Sequence, residues 1–376
     1  MQHSPTALVC GAGVAGLAVA WWLRHVGFHV TLVEREPMPR GGGHAVDIRG
    51  AALQVVAAMG LLDAVQRQRT RLQGMTLLDR DGMEIGRDDT RTFSAGRLDS
   101  ADIEIFRDAL CDLLAQAADA PAYTQYGERI TAIEQDAHGV TASFAGHVSR
   151  TFDVLIGADG VYSSVRRQVL KAGDECLRPL GGALAFYSAP NVVGLGAREW
   201  MYRDAGLGVV VYPDSQGTGL RIGAGFGAEV DAALRHDVAA QRALVQARLQ
   251  PLGGRWRALA AAAQTTDAFY FGELVQVMLP SWSSGRVALV GDAAHCASPF
   301  SGQGTSLALV GAYVLARELA RSPTAPAAAF ARYETRMRPY VDLNQALVDM
   351  DRQGPVPDAQ MAHAANAIAL FDLDDD

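Results

Sequence analysis

The sequence predicts an α/β protein in which a parallel sheet flanked by helices is interrupted by a mostly antiparallel sheet and followed by C-terminal helices. Three observations lead to this prediction. The chain has 376 residues, more than one hydrophobic core usually organises. An apolar run, a glycine-rich turn and a helical pattern follow one another at its start. Short strand patterns separated by turn residues fill the stretch from Leu180 to Phe226.

Composition limits the kind of protein this is. The hydrophobic share of 49% and the charged share of 20% are ordinary for a globular enzyme, and the net charge of −8 disfavours non-specific nucleic-acid binding. The four cysteines are far apart in the sequence, which predicts reduced thiols and a cytoplasmic location. No apolar run reaches the roughly 18 residues that span a bilayer, so we expect no membrane span.

The glycine-rich turn has the residues that a dinucleotide site needs. A strand over Ala7–Cys10 leads into Gly11-x-Gly13-x-x-Gly16, and a helix is predicted over Val14–Val26. Gly11 allows the tight turn, Gly13 lets a pyrophosphate approach the backbone, and Gly16 lets the helix lie close to the sheet. The free N–H groups of the helix N-terminus then favour the negative charge.

A carboxylate stands where a ribose-binding residue is expected. A second strand, Val30–Val33, ends in Glu34, which follows Gly13 by 21 residues and can accept hydrogen bonds from ribose hydroxyls. The alternative is a glycine-rich turn between a strand and a helix that binds no ligand. The context of the motif favours the dinucleotide site.

Hydrophobic periodicity and turn residues predict the elements that follow. In chain order these are a helix over 51–66, a hairpin of strands 74–78 and 83–86, a loop over 88–94, a helix over 100–118 capped by Ser100, strands over 130–134, 140–144 and 152–156, a helix over 161–170, strands over 183–188, 199–202, 208–212 and 219–226, helices over 229–249 and 256–263, strands over 269–278 and 287–290, a helix over 303–320, and helices from 325 to about 369 with a break near Gly354-Pro355.

Three further signals follow the glycine turn in a fixed order. The first is Arg107, on the predicted helix, and the second is Asp159-Gly160 between a strand and a helix. The third is Gly291-Asp292, at the end of a buried strand, where a carboxylate can hold a second polyol such as the ribityl chain of a flavin. A few residues later, Gly302-Gln303-Gly304 opens a long helix. Its N–H groups could face the pyrimidine end of an isoalloxazine, which is negatively charged in the reduced flavin.

The glycine fingerprint, the Asp-Gly motif and the Gly-Asp motif, in this order and spacing, resemble the class A FAD-dependent aromatic hydroxylases and monooxygenases. Within this family, the chain is most similar to tetracycline-inactivating and antibiotic-tailoring monooxygenases. The resemblance covers nearly the whole chain and is weakest between about Pro190 and Thr266. It implies the para-hydroxybenzoate hydroxylase fold: a Rossmann-like FAD-binding domain, an inserted, mostly antiparallel substrate sheet, and C-terminal helices. The implied division is 1–73, 96–178 and 268–322 for FAD, 74–95 and 179–267 for substrate, and 323–376 for the helical end.

The resemblance also implies which residues surround FAD. Those expected to bind it are Gly11, Gly13, Ala15, Gly16, Glu34, Arg35, Arg40, Asp47, Arg107, Asp159, Gly291, Asp292, Pro299, Gly302, Gln303 and Gly304. In the family the Asp159 motif serves both FAD and NAD(P)H. Aromatic residues on the inserted sheet are candidates for the substrate cavity, although strand alternation should place about half of them in the core. These candidates are Phe186, Tyr187, Trp200, Tyr202, Tyr212 and Phe226.

The implied reaction uses FAD, NADPH or NADH as transient reductant, and molecular oxygen as co-substrate. A flavin C4a-hydroperoxide would hydroxylate an aromatic or polycyclic, antibiotic-like small molecule, with the chemistry supplied by the cofactor. We therefore assign no catalytic residue and no metal; His295 is expected to pack rather than to act as a base. A Baeyer–Villiger or epoxidising outcome stays open, as does a regulatory flavin-binding protein without turnover. A flavin-dependent halogenase is disfavoured, because the only lysine is Lys171. The protein is expected to be a monomer or homodimer.

Overall fold

The computed structural model describes residues 4–39, 41–204, 206–352 and 355–370. Within these residues, one sheet has six strands. All neighbouring strands in it are parallel except one antiparallel pair at the edge. The strands in spatial order are Ser283–Ser284, Val287–Leu289, Val154–Gly157, Thr6–Cys10, His29–Glu34 and Thr124–Tyr126.

This strand order brings the sequence motifs together. Four neighbouring parallel strands end at Leu289, Gly157, Cys10 and Glu34. Because parallel strands have their carboxyl ends at the same edge, the segments that follow them emerge side by side. The glycine turn, the Asp-Gly motif and the Gly-Asp motif are therefore neighbours in space, although they are far apart in the chain.

Helices cover the parallel sheet and share its hydrophobic core. The helix Val14–His25 packs against the long helix Gly304–Arg321, where the Trp22 and Tyr313 rings meet edge to face with centroids 4.9 Å apart. Among the described residues the α-helices are Val14–His25, Ala51–Ala58, Leu62–Arg67, Arg107–Ala117, Ser164–Val169, Ala232–His236, Val238–Leu249, Trp256–Thr265, Asp292–His295, Gly304–Arg321, Pro326–Gln345 and Asp358–Ala365. No helix in these ranges is long and apolar enough to cross a membrane.

A second, seven-stranded sheet is antiparallel except where Met75–Leu78 runs parallel to Glu199–Asp204. Its helix-covered face packs on Val238–Leu249 and Trp256–Thr265 and forms a separate hydrophobic core, in which the Tyr187 hydroxyl donates to the Leu259 carbonyl at 3.1 Å. The strands in spatial order are Phe269–Val277, Leu177–Pro190, Gly219–Gly227, Leu207–Pro213, Glu199–Asp204, Met75–Leu78 and Glu84–Asp88. The α/β class and the mostly antiparallel insertion are confirmed.

Three smaller sheets complete the described fold. The strand pairs and triplets are Ala45–Ile48 with Ile103–Phe106, Arg91–Thr92 with Gly96–Arg97, and Ile130–Gln135 with Val140–Phe144 and Arg150–Phe152. The predicted strand 152–156 is interrupted at Asp153, whose carboxylate accepts from the backbone N–H of Thr6 at 2.8 Å.

The predicted helix over 100–118, with Ser100 as its cap, is wrong at its start. Ile103–Phe106 is a buried strand, antiparallel to Ala45–Ile48, and the helix begins only at Arg107. All four strand residues are buried. They therefore lack the alternation of buried and exposed positions that identifies a strand in a sequence and separates it from a buried helical turn. The partner strand, more than fifty residues earlier, decides the conformation.

Other predicted helices and loops differ in their boundaries. The predicted helix 51–66 is two helices, because Gly60 has a left-handed φ of +70° and ends the first. The predicted helix 229–249 is interrupted at Asp237, whose side chain caps the second part by accepting from the Ala240 N–H at 2.9 Å. Within the predicted loop 88–94, Arg91 and Thr92 form a short strand. Gly354, at the predicted C-terminal break, lies outside the described residues.

Candidate functional site

The glycine turn leaves no room for side chains at two of its positions. A Cβ on Gly11, which has φ +105°, would lie 2.5 Å from the carbonyl oxygen of Ala158. A Cβ on Gly16 would lie 1.8 Å from the carbonyl oxygen of Gly11. The turn therefore packs directly on the Asp-Gly segment, and the helix Val14–His25 starts immediately beyond it with free N–H groups at its end.

The Gly-Asp segment closes the other side of this turn. Gly291 has φ +63°, and a Cβ on it would lie 2.7 Å from the Cβ of Ala15. The fully buried Arg166 joins the two aspartate motifs, since its guanidinium donates to the carbonyls of Ala293 at 3.0 Å and Val161 at 2.8 Å. The structure thus brings together all three motifs of the sequence prediction.

Arg107 reaches the glycine turn from the opposite side. It is the first residue of its helix, and its backbone N–H donates to the His44 carbonyl at 2.9 Å. Its side-chain nitrogen Nη2 lies 3.4 Å from where a Cβ on Gly13 would be. A guanidinium beside a helix N-terminus forms a cationic pocket of the kind that holds phosphate.

Glu34 lies at the end of its strand, as predicted, and stabilises the turn. Its Oε2 accepts from the Ala12 N–H at 2.8 Å, and its Oε1 accepts from the Glu36 N–H at 3.0 Å. The neighbouring Arg35 points to solvent with 70% of its side chain exposed and pairs with Glu36. Arg40 lies outside the described residues.

The carboxylate of Asp159 accepts hydrogen bonds from the start of the helix that follows it. Its Oδ2 accepts from the Ser164 N–H at 2.7 Å and the Val165 N–H at 3.2 Å, and its Oδ1 accepts from the Ser163 hydroxyl. Both oxygens therefore cap the start of Ser164–Val169. Any ligand contact of this carboxylate would have to share these hydrogen bonds.

Asp292 opens a short helix beside the glycine turn, and we call the region between it and the Phe186–Tyr270 face of the second sheet the cleft. Its side chain is accessible to solvent, but protein surrounds it closely enough that desolvation raises its carboxyl pKa, against the lowering effects of the Cys296 thiol and Arg107. Tyr270 faces this region from the second sheet: desolvation and the charge of Asp292 raise its pKa to about 12, although 45% of the residue is exposed. The cleft thus has a carboxylate on one wall and a phenol on the other.

The start of the long helix leaves open space beside the cleft. A Cβ on Gly304 would meet no atom within 4 Å. Gln303 is fully buried and its Oε1 has no hydrogen-bond partner among the described residues, while its Nε2 donates to Met361. Pro299 is exposed on the turn before it. A Cβ on Gly302 would lie 4.0 Å from Asp47 Oδ2, so Asp47 is next to this segment.

Most of the proposed substrate aromatics point away from the cleft. Tyr187, Trp200, Tyr202 and Phe226 are buried in the second hydrophobic core, under the covering helices. Their assignment to the cavity is wrong, because they occupy the helix-covered face in the period-two alternation of the strands. Phe186 lies on the other face and is partly exposed.

Tyr212 shares the cleft side of the sheet with Phe186, but it is only 2% exposed. Its hydroxyl accepts from the Ala45 N–H at 3.0 Å and its ring stacks on Phe106, so it joins the second sheet to the two-stranded sheet of Ala45–Ile48 and Ile103–Phe106. It therefore supports the cleft wall and does not line the cavity.

His295 and Cys296 lie beneath the site. His295 is 1% exposed and packs against the Trp282 ring at 4.8 Å, and burial lowers its pKa to about 3. Burial raises the pKa of the Cys296 thiol well above its ordinary value. Both geometries are those of packing residues.

Three residues of the cleft were missed by the sequence analysis. His44 stacks on Phe186, Tyr270 faces Asp292, and Arg221 donates from Nη2 to Asp108 Oδ2 at 2.9 Å. Asp108 Oδ2 also accepts from the N–H groups of Gly42 and Gly43, which holds the loop before His44 against the sheet. Of these three residues, only His44 could have been suspected from the sequence, because it directly follows the glycine-rich loop after Pro39.

The residues present fit FAD. A turn without side chains at the helix N-terminus, a guanidinium above it, a carboxylate beyond it and an open second helix start match a pyrophosphate, a polyol and a flavin ring. Fold and site together define a flavoprotein monooxygenase of class A, with the para-hydroxybenzoate hydroxylase fold.

Comparisons with known proteins support this assignment to the flavoprotein monooxygenases. The chain belongs to the FAD binding domain family, whose model matches residues 5–347. It is 39% identical to an uncharacterized protein of Mycobacterium tuberculosis strain H37Rv over 98% of this chain and 99% of that protein. It is 37% identical to a flavin-dependent monooxygenase from an unknown prokaryotic organism, over 92% of this chain and 89% of that one. The crystal structure of tetracycline destructase Tet(51) superposes with a TM-score of 0.88 and 31% identity, covering 98% and 100% of the two chains.

Proposed function

We propose that this enzyme uses NADPH or NADH and molecular oxygen to insert one oxygen atom into an aromatic or polycyclic small molecule. The observation that carries the proposal is the pair of cleft walls: Asp292 and Arg107 on the cofactor side, and Phe186 with Tyr270 on the sheet side. The Phe186 and Tyr270 rings stack with centroids 6.4 Å apart, which suits a flat, electron-rich ligand.

Each cofactor-side residue has a proposed part. Gly11, Gly13 and Gly16 would admit the pyrophosphate, and Arg107 would neutralise its charge. Glu34 would accept from the adenosine ribose while keeping its bond to Ala12. When bound, FAD would supply the redox and oxygen chemistry that no protein side chain can provide.

The remaining residues would orient the ring system and the substrate. Asp292 would accept hydrogen bonds from ribityl hydroxyls, and the N–H groups at Gly304 would face the pyrimidine edge of the ring. Gly291 packs against Ala15, since a Cβ on Gly291 would lie 2.7 Å from the Ala15 Cβ, and both residues would border the ribityl chain. The Asp108–Arg221 pair would hold the loop over the cleft and limit the entry of water.

The cofactor would lie on the parallel-sheet unit and the substrate against the second sheet, as the predicted division states. The four described cysteines are free thiols, which supports a reducing, cytoplasmic environment. The proposed reaction is hydroxylation of an aromatic substrate and not halogenation, which is supported by Lys171 donating to the nearby Gln168 carbonyl at 2.7 Å.

The test begins with the purified protein, which should be yellow and release FAD, not FMN, on denaturation. NADPH and NADH oxidation is then measured in air with a panel of phenols of one to four rings and with tetracycline. We expect stimulation by at least one fused-ring compound and a product heavier by one oxygen atom. Stimulated oxidation that yields only hydrogen peroxide with every compound would contradict the substrate class, and a protein that binds FMN would contradict the cofactor site.

A further inference from the structure

Two buried carboxyl groups face each other next to the start of the helix Gly304–Arg321. Asp47 and Glu104 are directly paired across the antiparallel strands 45–48 and 103–106, so their side chains lie on one face, with Cβ atoms about 5 Å apart. Asp47 is 9% exposed and Glu104 is 4% exposed. Within the described ranges, Asp47 Oδ1 and Glu104 Oε2 have no hydrogen-bond partner.

Several carboxyl groups in this region lie near one buried guanidinium, that of Arg49. Arg49 Nη2 pairs with Asp47 at 2.8 Å and its Nη1 pairs with Asp102 at 2.8 Å. Glu104 Oε1 accepts from the Thr70 hydroxyl at 2.5 Å. The fully buried Glu199, close by, accepts from two backbone N–H groups of residues 93 and 94 and has no cation of its own in the described residues. Three of these carboxyl groups are buried, and the fourth, Asp102, has 24% of its side chain exposed. With one buried cation among them they cannot all be ionised, so at least one proton stays in the cluster.

The pKa directions agree with this geometry. Burial, followed by the charge of Asp47, raises the pKa of Glu104 to about 8. Burial raises the pKa of Asp47 to about 6, against the lowering effect of Arg49, and raises that of Glu199 to about 7. The phenol of Tyr212 also faces this cluster and stays protonated, because burial raises its pKa. Near neutral pH the proton is therefore held mainly by Glu104.

A cavity connects the pair to solvent. It has a volume of about 260 Å³, and both Asp47 and Glu104 line it, together with Thr70 and Asp102. This volume holds several waters. Its other lining residues include the exposed Arg69, Arg71 and Arg97, whose charges solvent screens.

The opposite side of the pair borders the cofactor segment. Asp47 Oδ2 lies 4.0 Å from where a Cβ on Gly302 would be, and the Arg49 N–H donates to the Ser306 hydroxyl at 3.0 Å in the first turn of the long helix. Asp47 thus lies between this cavity and the segment that the proposed function assigns to the flavin ring.

We propose that Asp47 and Glu104 share one proton and relay protons from the cavity to the cleft. The inference rests on the proposed function, because an NAD(P)H-dependent monooxygenase consumes a proton in each turnover: substrate, NAD(P)H, H⁺ and O₂ give hydroxylated substrate, NAD(P)⁺ and water. In the relay, the shared proton passes from Glu104 to Asp47 through water and from Asp47 to the cleft, and Glu104 is then reprotonated by a proton that solvent supplies through the water of the cavity. Only O–H bonds form and break, and no electrons are transferred.

The first test needs no turnover. Infrared spectra of the purified protein at pH 7 should show the C=O absorption of a buried carboxylic acid, and that absorption should disappear as the pH rises past about 8. Glu104→Gln should remove much of it. Glu84→Gln, at an exposed carboxylate paired with Arg87, should leave it unchanged. An equal absorption in Glu104→Gln would overturn the proposal.

The second test follows NADPH oxidation in air across the pH range. The wild-type rate should fall as the pH rises through about 8. In Glu104→Gln this decline should disappear, and the rate should be lower by on the order of 10²-fold, a usual effect of losing acid–base assistance. Thr70→Val keeps the Glu104 carboxyl but removes a hydrogen bond that lowers its pKa, so the decline in rate should occur at a higher pH.

The outcomes separate this inference from the proposed function. A wild-type protein that contains FAD but never oxidises NADPH would contradict the proposed function, and the infrared result would still stand on its own. Active enzyme whose pH profile is the same in wild type, Glu104→Gln and Thr70→Val would overturn the relay. If Glu104→Gln does not fold, Asp47→Asn and Thr70→Val carry the same test.

Discussion

His44 stacks on Phe186 with ring centroids 4.1 Å apart and planes within 10° of parallel. The contact joins the loop before Ala45–Ile48 to the open face of the second sheet. Burial and the nearby charge of Arg107 lower the pKa of His44 to about 3, so the ring is neutral at physiological pH. A neutral imidazole can stack on a phenyl ring without a desolvated charge, and this pair therefore forms a stable, apolar corner of the cleft.

The first prediction concerns this corner. Phe186→Ala should raise the KM for a fused-ring phenol by roughly 10-fold, about the upper end of what one aromatic pair contributes, with FAD content unchanged. Phe226→Leu is the matched control, because Phe226 lies on the helix-covered face. It should lower the melting temperature and leave substrate preference intact. The opposite pattern would mean that the substrate lies elsewhere.

The second prediction concerns the start of the long helix. Gly304→Val should weaken FAD binding at least about 10-fold, or about 1.4 kcal/mol, because the added side chain enters the space proposed for the flavin ring. The apo protein should fold normally, since a Cβ there meets nothing within 4 Å. Gly196→Val, at an exposed loop glycine that is equally free of neighbours, should keep full FAD affinity. FAD titration monitored by flavin fluorescence checks both variants.

The third prediction tests Asp292. Asp292→Ala should weaken FAD binding by roughly 1.5–3 kcal/mol, the scale of a lost hydrogen bond to a charged group. Asp292→Asn keeps an acceptor oxygen and should lose less. Equilibrium dialysis with FAD measures both dissociation constants, and wild-type affinity in Asp292→Ala would remove this residue from the site.

The fourth prediction is the effect of pH on stability. Between the unfolded pKa of a glutamate, about 4.3, and about 8, folded Glu104 holds a proton that the unfolded chain releases. The folded state then binds more protons, so the free energy of unfolding contributed by this group falls as the pH rises through that window. Urea unfolding at several pH values should show a shallower decline in Glu104→Gln. A decline of equal slope in both proteins would contradict the raised pKa.

The fifth prediction concerns His295, whose folded pKa is about 3. The unfolded chain binds a proton to this ring below about 6.5, whereas the folded protein does not, so stability falls as the pH drops from 6.5 towards 3. His295→Gln should reduce this acid sensitivity and keep most of the NADPH oxidation rate. An inactive variant with normal FAD content would make His295 catalytic.

The sequence alone determined the features whose causes are local. Gly11 and Gly16 are required by the turn itself, and the structure leaves a Cβ no room at either position. The positions of Glu34 at the end of its strand, and of Asp159 and Asp292 shortly after theirs, followed from apolar runs that stop at a polar residue. The α/β class and the flavoprotein monooxygenase class were predictable because these local signals occur in one order along the chain.

Tertiary structure decided whatever depends on a distant partner. Ile103–Phe106 is a strand because Ala45–Ile48 pairs with it, and that pairing sets Asp47 opposite Glu104. Which aromatic residues face the cleft depended on which face of the second sheet the helices Val238–Leu249 and Trp256–Thr265 cover. Strand alternation divides side chains between two faces, but burial of apolar surface against another element chooses which face becomes the core.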